Sequence, residues 1–229
     1  MKIYKNAKME LKNIKANFLG DSITEGVGVS SPDKVFHALI KEKYGLSEAR
    51  NYGKGGTRIA RQSEIKDPNE PRDKDFILRA EYMDPDADLI VVFGGTNDYG
   101  NGQAPLGEIT DNTMFTFYGA VRVLCVNLIK KYPNAQIVFI TPLHRWNEEG
   151  GLGTWKPDGV KQHFLCDYAK AIKEVCEQFA IPVLDMFGKG GMPIHIPEYA
   201  KLYTTDALHP NDEGHKILAN KLGKFLENL

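Results

Sequence analysis

The run Leu89-Ile90-Val91-Val92-Phe93, entered from Asp88 and closed by Gly94-Gly95, constrains this chain most. An unbroken β-rich apolar stretch of that length, bounded by turn residues, suits a central strand covered on both faces. Such a strand needs helices above and below it, and similar runs recur along the chain. Strands are expected at 16–19, ending at Gly20, at 49–52, running into Gly53, at 88–93, at 137–140, ended by Thr141-Pro142, and at 182–185. Helical spacing falls between them. It covers 35–44 (Val35, Leu39, Ile40, Tyr44), about 113–132 as an amphipathic helix stopped by Pro133, about 160–179, and 212 to the C-terminus. Strands alternating with helices imply an α/β domain with a largely parallel sheet. No repeat, low-complexity tract or long linker divides residues 1–229, so one domain is expected. Residues 62–74, charged and proline-bearing, read as a surface loop. Residues 145–159 are glycine-rich and hold both tryptophans.

Charge narrows the partners. Lys and Arg number 29 against 30 Asp and Glu, a net −1, and so balanced a chain has no field to hold a polyanion. Nucleic acid is therefore not expected as a partner. No stretch approaches the roughly 20 apolar residues that span a bilayer, so no membrane partner is expected either. Three cysteines without a CxxC pair, two of them (Cys125 and Cys176) in apolar helical patterns, read as thiols of a reducing compartment. The lysine-studded N-terminus, MKIYKNAKMELKNIK, lacks the apolar core of a secretory signal. A cytoplasmic protein is expected, unless a leader has been removed.

Four motifs fall where the strands end. In an open parallel sheet, ligands bind outside the carboxyl ends of the strands. Gly20-Asp21-Ser22-Ile23-Thr24 follows the first strand, and Asn51-Tyr52-Gly53-Lys54-Gly55-Gly56-Thr57 follows the second. Gly94-Gly95-Thr96-Asn97-Asp98 follows the long apolar strand, and Asp206-Ala207-Leu208-His209-Pro210-Asn211 lies between the last strand and the last helix. A serine at a helix start is exposed and sits beside free N–H groups that favour developing negative charge. The plainer reading makes Asp21 or Ser22 only an N-cap. Asp206 and His209, three apart, would point the same way on one helical turn. One carboxylate can then hold an imidazole tautomer whose other nitrogen faces a serine, as acyl transfer requires. The plainer reading is a loop with a helix cap at Asn211.

Other chemistries fit less well. His37, His144, His163, His195 and His215 form no HxxxH or HExxH set, so no metal site is expected. Lys54 stands between glycines, where a phosphate-binding loop needs it after the last glycine. Ser31 stands where a dinucleotide fingerprint needs a glycine. A bare glycine N–H and an asparagine side chain near a strand end can instead bind a substrate oxygen. Losing one such donor typically costs on the order of 3 kcal/mol in a transition state.

Together the four blocks resemble the GDSL/SGNH hydrolases, a family of serine esterases, lipases and acetylesterases named for Ser, Gly, Asn and His. Gly20-Asp21-Ser22-Ile23 is similar to the nucleophile block, with Ile where the name has Leu. Gly56, five residues after Asn51 and just before Thr57, matches the oxyanion glycine. Gly95-Thr96-Asn97-Asp98 matches Gly-x-Asn-Asp, and Asp206-Ala207-Leu208-His209-Pro210 matches Asp-x-x-His-Pro, in the right order over 18–215. The resemblance implies a flavodoxin-like three-layer α/β/α fold with about five parallel strands. It implies a triad of Ser22, His209 and Asp206, and an oxyanion hole made of the Ser22 and Gly56 N–H groups and the Asn97 side chain. It further implies an acyl-enzyme formed with no metal or organic cofactor.

The family's range leaves the substrate open. The local clue is 145–155, a loop leaving the carboxyl end of the 137–140 strand, whose Trp146 and Trp155 offer flat apolar faces suited to a sugar ring or an aromatic ester. The plainer reading has them pin the loop to the domain. Tyr99 and His144, each just past a strand end, are further pocket candidates that equally suit packing. The expected activity is hydrolysis of short, acetyl-type esters, with small acetylated sugars as candidate substrates. Alternatives are an acyltransferase with the same triad, a non-catalytic carbohydrate- or ester-binding module, and a metal-dependent phosphoesterase.

Overall fold

A computed structural model describes residues 9–63, 74–148 and 163–229. Five strands form one parallel sheet: β1 (Lys15–Gly20), β2 (Glu48–Gly53), β3 (Leu89–Phe93), β4 (Gln136–Ile140) and β5 (Val183–Leu184). Their order is β2-β1-β3-β4-β5, the flavodoxin-like doubly wound order. The chain reverses its winding direction beside β1 and β3, whose register pairs Gly20 with Phe93. That reversal opens the crevice in which such sheets bind ligands.

Successive residues of a strand face opposite sides of a sheet, and the core divides accordingly. Ile90, Val92, Ile137 and Phe139 pack with α3 (Phe76–Glu81), α5 (Phe117–Lys131) and α6 (Leu165–Gln178). Leu89, Val91, Val138 and Ile140 pack on the other face with α2 (Phe36–Tyr44) and α9 (Asp212–Glu227). The layers are therefore α/β/α. Cys125 and Cys176 are fully buried in the first of these cores, whereas Cys166 is exposed. No helix among the described residues is long and apolar enough to cross a membrane.

Some expectations shift. The helix expected from 113 begins only at Phe117, because the Thr116 side chain caps it by accepting from the Gly119 N–H. The helix expected from 160 is described from Leu165, and 149–162 lie outside the described residues, Trp155 among them. Short helices the sequence pattern did not mark follow several strands: α1 (Ser22–Glu25), α3, α4 (Thr96–Asn101), α7 (Met186–Lys189) and α8 (Pro197–Tyr203). Four to seven residues are too few to develop a helical period. Residues 64–73 of the expected surface loop also lie outside the described residues, but Gln62 does not belong to a surface. It is buried, its amide donates to the Ala60 carbonyl, and its oxygen accepts from the Gln103 N–H.

Two buried histidines tie α2 to its neighbours, His215 to α9 and His37 to α1. His215 Nδ1 accepts from the Phe36 N–H at 3.2 Å, and its ring stacks on Phe36 at 5.9 Å. His37 Nε2 donates to the Thr24 carbonyl at 3.2 Å. Burial holds both imidazoles down to about 4, against 6.5 ordinarily. Their folded values lie below the unfolded ones, so the stability tied to the neutral rings is complete above pH 6.5. It is lost as the pH falls through about 4. In His215→Gln, whose oxygen can still accept from Phe36, the His215 share of that loss disappears while the His37 share remains. The Tm deficit of the variant at pH 7 should therefore shrink or reverse at pH 4.5, as calorimetry would show. A deficit independent of pH would mean that His215 is not held neutral.

Candidate active site

All four motifs reach the carboxyl rim of the sheet. Gly20 ends β1, and α1 folds back so tightly that a Cβ at Gly20 would lie 1.9 Å from Thr24 Oγ1. Asp21 is the N-cap of α1, its carboxylate accepting from the Ile23 N–H at 3.0 Å, which leaves Ser22 as the first helical residue. The cap and the serine are thus adjacent residues with separate tasks, and Ser22 is buried rather than exposed as its place at a helix start suggested.

Ser22 Oγ lies 2.9 Å from His209 Nε2, and His209 Nδ1 lies 2.6 Å from Asp206 Oδ2. An ionised carboxylate only accepts, so the proton of this tautomer sits on Nδ1 and Nε2 is left to accept from the serine. Burial pushes the Asp206 carboxyl up, but the backbone and side-chain hydrogen bonds from His209 overcome it and hold the group below its ordinary value. It is therefore charged at neutral pH. The Asp–His pair does not occupy a helical turn, as its spacing suggested. It lies in a bent loop between α8 and α9, where Ala207 adopts φ +60° and Asp206 Oδ1 accepts from the Leu208 and His209 N–H groups. A short polar side chain has taken over the backbone donors that a helix would have used.

The second strand-end loop runs beside the serine. Gly56 has φ +75°, a left-handed conformation open to glycine, and its N–H has no acceptor among the described residues. Asn97 is buried and donates one amide N–H to the Thr57 carbonyl at 3.0 Å. That bond fixes the amide orientation and leaves its second N–H available. Ser22, Gly56 and Asn97 thus come from the ends of three neighbouring strands.

Supporting residues hold this geometry, and sequence reasoning gave them no role. Both Asp98 carboxylate oxygens accept backbone N–H bonds, from Ile59 at 3.0 Å and Ala60 at 2.8 Å, anchoring the chain just beyond Gly56. Burial raises its carboxyl to about 6 despite those bonds. Arg79 donates to the Gly20 carbonyl, Thr57 Oγ1 and the Tyr52 carbonyl, clamping the ends of β1 and β2 to the Gly56 loop. Burial lowers it to about 10, which leaves it charged at neutral pH. Asp98 was visible inside its motif. Arg79 lies in a helix without a marker and had no such signal.

The remaining candidates separate. Trp146 is exposed, and its backbone N–H donates to the Ala207 carbonyl at 3.0 Å, which joins its loop to the Asp206–His209 loop. Tyr99 is buried edge-on against Tyr168, and its hydroxyl donates to the Asn147 carbonyl, so it supports the loop from beneath. His144 lines a cleft of about 920 Å³ with Asn147, Glu148, Phe164, Phe187 and His195.

Residues 18–217 match the GDSL-like lipase/acylhydrolase family, most of the chain. The chain belongs to that family. Among solved structures it is similar to a protein from Lactobacillus plantarum, at 32% identity and TM-score 0.79, with 94% of this chain and 97% of that one covered. A member of the lipolytic G-D-S-L family from Veillonella parvula shares the fold at 17% identity and TM-score 0.63, covering 94% and 99%. So does an acetyl xylan esterase, at 19% identity and TM-score 0.61, covering 93% and 99%. A comparison with curated proteins finds no match.

Proposed function

We propose that this chain is a serine hydrolase of short, acetyl-type carboxylic esters, with Ser22 as nucleophile. The observation that carries this reading is the unbroken chain from Ser22 Oγ through the His209 ring to Asp206. Ser22 Oγ attacks the ester carbonyl as His209 Nε2 takes its proton. The Ser22 and Gly56 N–H groups and the free Asn97 amide N–H receive the oxyanion. His209 then protonates the departing alcohol, and water, deprotonated by the same ring, hydrolyses the acyl-serine. Asp206 holds the ring in the tautomer that each proton transfer needs.

A small acetylated sugar fits the leaving-alcohol side of this reading. Trp146, 49% exposed, presents a flat apolar face on a loop bonded to the His209 loop. A sugar ring stacked there would gain about 0.5–1.5 kcal/mol, by analogy with aromatic pairs. Trp146→Ala should therefore lower kcat/KM on an acetylated sugar by roughly three- to tenfold and leave a simple alkyl acetate nearly unaffected. Steady-state rates on the two substrates check this, and equal losses on both would defeat the stacking assignment.

A further inference from the structure

The cleft beside Trp146 contains a cluster that the reaction above does not use. His144 and Glu148 lie four residues apart on the loop after β4, and His195 comes from the segment after α7. Glu148 Oε1 lies 2.8 Å from His144 Nδ1 and 3.5 Å from His195 Nδ1. We propose that His144, Glu148 and His195 form a binding site for a divalent transition-metal ion of the zinc class, with Nδ1 of each ring and Glu148 Oε1 as ligands.

Three features favour a site over a chance grouping. One atom from each residue falls within a set no more than 4.8 Å across. Around a tetrahedral zinc, with bonds of about 2.0–2.2 Å, ligand atoms stand roughly 3.4 Å apart, so closing on the ion needs small side-chain shifts. The ligands are also held from behind. Glu148 Oε2 accepts from the Arg145 N–H at 3.0 Å, which fixes the carboxylate with both oxygens against His144 Nδ1, at 2.8 and 2.9 Å, and Oε1 nearest His195. The buried Arg145 is itself fixed by donating to Thr96 Oγ1 at 3.1 Å, and the His144 ring packs on Phe187 at 4.2 Å. Oriented carboxylates of this kind are typical of metal sites. Finally, the donor set is mixed. Two imidazoles and one carboxylate suit zinc, whereas magnesium and calcium prefer oxygen alone. The sequence hid the set because its third member lies some fifty residues from the other two.

The cluster stands on segments that follow β4 and β5, whereas Ser22 follows β1. His195 is half-exposed, so the open coordination position faces the cleft. The proposal does not depend on Ser22 being a nucleophile, and the test below reads metal rather than turnover.

The experiment is calorimetric titration of the chelator-stripped full chain with zinc chloride, with metal content measured after dialysis. The wild type should take up about one zinc per chain. His195→Ala and Glu148→Gln should each bind at least about tenfold more weakly while keeping the wild-type circular dichroism. His209→Ala should bind as the wild type does. No uptake by the wild type would mean that the cluster is only a hydrogen-bonded His–Glu–His group, and would overturn the site. So would uptake that survives both ligand substitutions, or uptake lost with His209.

Discussion

Replacing Ser22 with alanine is expected to lower kcat on a p-nitrophenyl ester by a factor of around 10⁶, as in other triads. The size follows from what is removed. Ser22 supplies the atom that bonds to the carbonyl, and its hydroxyl is the group that the His209 ring is placed to deprotonate, at 2.9 Å. The donors from Gly56 and Asn97 would remain, so some acceleration over water should persist. The fold should be unaffected, because the cap of α1 is Asp21 and the substitution removes a single oxygen. Purified variant and wild type compared at saturating ester measure the factor. Retention of more than a few per cent of activity would remove Ser22 from the mechanism.

Asp206→Asn should cost about 10⁴ in kcat with almost no change in shape. The reason lies in how the carboxylate is held. Oδ1 accepts from the Leu208 and His209 N–H groups at 3.1 and 2.7 Å, so an asparagine would keep its oxygen there. Its amide NH₂ would then replace Oδ2, 2.6 Å from His209 Nδ1 in the present structure. A donor against Nδ1 forces the ring proton to Nε2, where it can no longer accept from Ser22. Steady-state kinetics at neutral pH decide the matter. A loss of less than tenfold would mean that Asp206 does not set the tautomer.

The sheet was legible in the sequence because its central strands are buried on both faces. Leu89–Phe93 and Gln136–Ile140 differ from the expected bounds by one residue at most. The strand ends also located three of the four motifs, since Gly20, Gly53 and Gly94 interrupt those apolar runs, whereas the fourth lies between α8 and α9. Tertiary positioning was less visible. The Asp206–His209 spacing suggested a helical turn, but Asp206 bonds its own loop and Ala207 takes a left-handed conformation, which local periodicity does not report. Tyr99 follows the Asn97 motif and looked equally suited to pocket or packing, but burial in the core against Tyr168 places it beneath the loop. His144, Glu148 and His195 meet only because β4 and β5 are neighbours.

The central claim is that a histidine held by Asp206 activates Ser22, and covalent labelling tests it most directly. Wild-type protein treated with an alkyl fluorophosphonate should gain the mass of one phosphonyl group, located by peptide fragmentation on Ser22. Ester turnover should fall in step with labelling, and His209→Ala should label far more slowly. Full turnover by protein that carries no label, or a label that stops turnover from any residue other than Ser22, would contradict the account.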